Sequence, residues 1–198
     1  MNIVVHLLIA RSVRKIVHEQ TGEKLSFTGF LYGNILPDIS EKHGAAPHYF
    51  ESSLEYVLEN TAHLKKDMDS YSGTDSFALS KRAGVITHYL SDFFCYPHCE
   101  SYNSGRIHHH IYELSMLFLF RRGFLFYQKQ KKEQSVNFSE LESFIVGNRK
   151  VYDRGENLKI RDVSYAITIS AVVVSCLVMG KTCTKRTGLF PAYDMQSA

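Results

Sequence analysis

The 198-residue sequence has no tryptophan, four prolines and four cysteines, and its net charge is only +3 with the ten histidines neutral. Few prolines and twelve glycines without a repeat exclude collagen-like and low-complexity chains. The cysteines, Cys95, Cys99, Cys176 and Cys183, form no pair of CxxC motifs and no dense disulfide pattern, so reduced thiols are expected. So small and dispersed a charge argues against a nucleic-acid partner. The N-terminal stretch lacks a basic leader and a cleavage motif, which gives no secretory signal. The longest apolar run, residues 166–180, falls short of the ~20 residues of a spanning helix and reads as a buried one. A cytoplasmic protein is therefore expected, with peripheral membrane contact left open. Glycine-rich phosphate loops, a Ser–His–Asp arrangement and adjacent His-Asp dipeptides are also missing.

What is present is apolar content, 44% of residues, and enough length for one domain with a proper core over 1–198. Helical spacing dominates. Val4, Leu7, Leu8, Val13, Ile16 and Val17 predict a helix that stops at Thr21-Gly22. Leu25 to Leu36 predict a second, closed by Pro37, which places Asp38 just beyond its end. An amphipathic helix is predicted over 48–66, and another, capped by Asp75 or Ser76, runs to Phe93 with Pro97 marking its end. A long helix from near Ile107 leads into the polar tract 128–133, and two more cover about 141–154 and 162–179. The tail from Lys181 has no clear periodicity, and no strand pair is apparent. The fold class is thus all-α, a single multi-helix bundle. The basic residues Arg121, Arg122, Lys129, Lys131 and Lys132 read as a solvated helix face.

The chemistry lies in the histidines. His88 and Asp92 stand at i and i+4, which brings both side chains to one helix face within reach of one ion, and His109 and Glu113 repeat the offset on another helix. Two such imidazole–carboxylate clips suit zinc, which takes neutral imidazole nitrogen and carboxylate oxygen. A carboxylate among Val85, Ile86, Leu90, Phe93 and Phe94 is costly unless it is paired or metal-bound. His98, just past Pro97, can return toward the same helix.

The string HYLSDFFCYPH, with His88, Asp92 and His98, followed by His109 and Glu113, resembles the zinc-dependent phospholipase C family. Upstream, His6, Asp38 in GNILPD and His48 in PHYFE match the positions of its earlier ligands, with His43 and His63 as alternatives to His48. The motifs cover residues 1–113. The resemblance implies an all-helical fold and a cluster of two or three zinc ions. His48, His88, Asp92 and Asp38 would hold one zinc, Asp92 and His6 a second, and His98, His109 and Glu113 a third. It further implies hydrolysis of a phospholipid or other phosphodiester, with Asp38 orienting or deprotonating the attacking water. The sequence departs from the secreted members, which use a terminal tryptophan as a ligand. The alternatives are a helical protein that keeps a metal site for stability or partner binding without turnover, and a plain helical interaction protein.

Overall fold

A computed structural model describes residues 1–40, 46–70, 76–130, 136–156 and 158–179. Asp75, His43, Lys131, Lys132, Cys183 and the tail from Lys181 lie outside the described residues. Seven α-helices follow in order: α1 (Ile3–Thr21), α2 (Phe27–Ile39), α3 (Phe50–Ser70), α4 (Ser76–Phe93), α5 (Arg106–Gln130), α6 (Leu141–Asp153) and α7 (Lys159–Val178). Short 3-10 turns at Tyr96–His98 and Phe138–Glu140 complete the set, and no strand occurs among the described residues.

Local chemistry sets several ends. The Asn2 side chain accepts from the Val4 N–H at 2.9 Å and caps α1, while Gly22, at φ 79°, takes the left-handed turn that ends it and donates to the His18 carbonyl. Ser26 caps α2 through the Gly29 N–H. Pro37 does not close α2, contrary to the sequence expectation: the helix runs to Ile39, and Asp38 lies in its last turn. So near the end, a proline forfeits one N–H bond and presses on one carbonyl. Close packing of α2 on its neighbour offsets that cost. Helix α5 leads into the polar tract, as the sequence allowed, and Gln130 is its last described residue.

The core helix is α7. By length and composition it is the one described helix able to cross a membrane, yet 89% of its apolar window is buried inside the bundle. It packs on α1, α4 and α5, and Ile167, Ile169, Val173 and Val174 are wholly enclosed. Of the helices on this pillar, α4 also pairs with α2, the tightest helix pair among the described residues. Gly29, Gly33 and Gly84 line their contact, and a Cβ on Gly84 would sit 2.9 Å from the Asn34 nitrogen and 3.0 Å from the Gly33 carbonyl carbon, with the Phe30 oxygen nearer still. The backbones therefore touch, and Asn34 secures the contact by donating its side-chain amide to the Gly84 carbonyl at 3.2 Å. This approach brings the C-terminal end of α2, with Asp38, beside the middle of α4.

Candidate metal centre

Helix α4 supplies the centre of the site. His88 and Asp92 are both fully buried one turn apart, with His88 Nε2 3.3 Å from Asp92 Oδ2. The opposite ring nitrogen, Nδ1, lies 2.8 Å from the Asn34 carbonyl oxygen. A carbonyl can only accept, so Nδ1 carries the proton and Nε2 presents its lone pair to the site.

Around this pair the fold gathers every side chain of the expected set. His6, from α1, stacks on His88 with ring centroids 4.1 Å apart and places Nε2 3.4 Å from Asp92 Oδ1. Asp38 Oδ1 is 3.7 Å from His88 Nε2 and 3.9 Å from His48 Nδ1. His48 Nδ1 is in turn 3.0 Å from Asp92 Oδ2. The 3-10 turn brings His98 Nε2 to 3.7 Å from Asp92 Oδ1 and 3.3 Å from Glu113 Oε1. His109 Nε2 reaches the same Glu113 oxygen at 2.8 Å. Four trios have ligand atoms within 4.8 Å of one another: His6, His88 and Asp92; Asp38, His48 and His88; His48, Asp92 and His98; and His98, His109 and Glu113. Of the alternatives to His48, His63 is exposed on α3 and belongs to none of these trios.

Three contributors carried no signal in the helical patterns. The amino group of Met1 is buried against Asp92 Oδ1, 3.1 Å from His98 Nε2 and 3.3 Å from Glu113 Oε1, between the two clips. The Asn34 carbonyl fixes the His88 ring, and it is a backbone group that any residue could offer. The third is Asp162, buried at the start of α7 behind the His98 turn.

The electrostatics are those of a dense, partly desolvated cluster. Burial works to raise the Asp92 carboxyl, but the Met1 amine, His98, His6 and His88 outweigh it and hold it well below the usual carboxylate range. Burial also opposes ionisation of Glu113, yet the His98 hydrogen bond, the Met1 amine and His109 bring it down to about 2. Burial drives His88 well down and lowers His98, so both imidazoles favour the neutral form a metal requires. Asp38 moves the other way, pushed up by burial.

The donor set fits zinc. Both nitrogens of His6 are buried without a hydrogen-bond partner among the described residues, an expensive state for polar atoms that coordination would relieve. Imidazole nitrogens and carboxylate oxygens are the ligands of catalytic zinc, and the thiols Cys95, Cys99 and Cys176 enter none of the trios.

A family model described as zinc-dependent phospholipase C matches residues 5–158, a span that takes in all eight of these side chains. No curated protein and no solved structure matches the chain.

Proposed function

The chain belongs to the zinc-dependent phospholipase C family, and from that premise we propose that it is a zinc-dependent phosphodiester hydrolase acting on phospholipid at the cluster around Asp92. The observation that carries this reading is the gathering of five imidazoles and three carboxylates into four adjoining trios around the buried Asp92, with neither His6 nitrogen hydrogen-bonded. His48, His88, Asp92 and Asp38 would hold one zinc, His6 and Asp92 a second, and His98, His109 and Glu113 a third. Bound zinc supplies a Lewis acid that lowers the pKa of water from 15.7 to about 7 and neutralises phosphate charge.

The chain's own residues do the rest. Asp38 and His48 stand at the solvent-facing side of the cluster, with side chains 21% and 23% exposed, whereas Asp92, His6 and His88 are sealed. Substrate and water thus reach the Asp38 side first. Its place on that open side suits Asp38 to orient the attacking water or take its proton. The Asn34 carbonyl keeps His88 in one tautomer and orientation throughout.

The test measures zinc per chain together with turnover on a panel of phospholipids, phosphomonoesters and single-stranded nucleic acid. Two or three zinc ions and phospholipid cleavage are expected. Zinc bound without turnover on any phosphoester would assign a non-catalytic metal site instead. A chain that folds, binds no zinc and cleaves nothing would assign a plain interaction protein.

A further inference from the structure

Helix α7 contributes no member of the cluster, yet its first turn carries Asp162, fully buried and turned toward the elements that do. Its Oδ2 accepts from the Tyr112 hydroxyl at 2.7 Å and from the Tyr96 backbone N–H at 3.1 Å, while Oδ1 accepts from the Tyr152 hydroxyl at 2.8 Å. Two of these donors belong to segments that bear ligands. Tyr96 opens the 3-10 turn that ends in His98, and Tyr112 precedes Glu113 one turn along α5 from His109. The Tyr96 and Tyr112 rings lie 5.8 Å apart, and Lys159 of α7 covers the Tyr112 ring at 4.8 Å. The third donor, Tyr152, comes from α6, which bears no ligand.

We infer that Asp162 is a positioning residue for the His98, His109 and Glu113 trio: one carboxylate oxygen ties the His98 turn to the Glu113 face of α5, setting the spacing of three donors it does not touch. The inference rests on reading that trio as a metal group. The physical argument is one of register. His98 and Glu113 stand 3.3 Å apart on different elements, and the three-residue turn that carries His98 is held to Asp162 at its first N–H. Groups that orient ligands from behind usually cost roughly 10–100-fold in metal affinity when removed.

The experiment uses the full chain loaded with zinc and stripped by chelators of graded strength, and in parallel loaded with cadmium-113, whose sites give separate NMR resonances. Asp162→Asn and Tyr112→Phe are each expected to weaken one metal equivalent by roughly 10–100-fold and to move one cadmium resonance, the one that His109→Ala abolishes. Tyr152→Phe removes the donor attached to no ligand-bearing segment and is expected to leave that resonance in place. Equal weakening of every site, an unmoved resonance in Asp162→Asn, or an identical response in Tyr152→Phe overturns the inference. Should Asp162→Asn fail to fold, Tyr112→Phe decides, because it deletes one hydrogen bond and keeps the ring packed. If His109→Ala shifts no resonance, the metal reading of the trio falls as well, so the two failures are told apart.

Discussion

Replacing Gly84 by alanine tests how the α2–α4 contact builds the site. On helix propensity alone the change should stabilise the protein by up to about 1 kcal/mol. The added Cβ, however, would stand 2.9 Å from the Asn34 nitrogen and 3.0 Å from the Gly33 carbonyl carbon, and nearer still to the Phe30 oxygen. Ordinary contact between carbon atoms needs about 3.5 Å. All three obstacles are backbone, so no rotamer relieves the clash and α2 must move. Overpacking of this kind costs about 1–3 kcal/mol, and a rigid obstacle belongs at the upper end, which leaves a net loss of about 2 kcal/mol. For a chain of this size that corresponds to a fall in Tm of about 4–8 °C.

Gly147 is the control. It lies exposed within α6, and a Cβ added there would meet nothing within 4 Å, so Gly147→Ala should raise Tm by about 2–4 °C. Displacing α2 also loosens the Asn34 carbonyl from His88 Nδ1, so zinc affinity falls in Gly84→Ala and is unchanged in Gly147→Ala. Thermal denaturation with chelator present reads the stability, and zinc titration reads the site. A Gly84→Ala protein as stable as the parent, or one that binds zinc equally well, refutes the argument.

Other consequences are simpler to state. His88→Ala and Asp92→Ala should each abolish most turnover, a loss beyond the roughly 10–100-fold that removal of a supporting partner costs, with the helical circular dichroism retained. Normal activity and zinc content in both variants would mean the site is misplaced. Arg149→Ala should lower stability by about 3 kcal/mol in urea denaturation, because the buried guanidinium donates to the Phe93 carbonyl and to Asp153 and lies over the Phe50 and Tyr152 rings. A loss below ~1 kcal/mol would show those contacts to be replaceable. Burial pushes the Cys99 thiol up to about 11 and that of Cys95 well above its ordinary value, so both stay protonated at pH 8. An alkylating reagent should therefore leave Cys95, Cys99 and the buried Cys176 unmodified until the chain unfolds, and mass spectrometry would expose any contrary labelling.

The helical architecture was legible because most helices bury one face, and that face repeats in the sequence. The clips at His88–Asp92 and His109–Glu113 were visible for the same reason, since a single helical turn sets their spacing. Pro37 misled because its effect depends on where in a helix it falls, and the packing that tolerates it is tertiary. The glycine contact of α2 with α4 lies outside the apolar pattern: Gly29 and Gly33 stand one helical turn apart, but what matters there is the absence of a side chain. Asp162 looks like an ordinary first-turn acid. Its donors come from 10, 50 and 66 residues away, a relation that only the folded chain expresses.

The most direct test of the central claim is turnover of a phospholipid by the full chain measured before chelation, after chelation, and after zinc is restored. The account predicts cleavage of the phosphodiester bond that disappears with the metal and returns with two or three equivalents of zinc. Cleavage that survives complete removal of zinc, or a fully zinc-loaded chain that cleaves no phosphodiester, would contradict it.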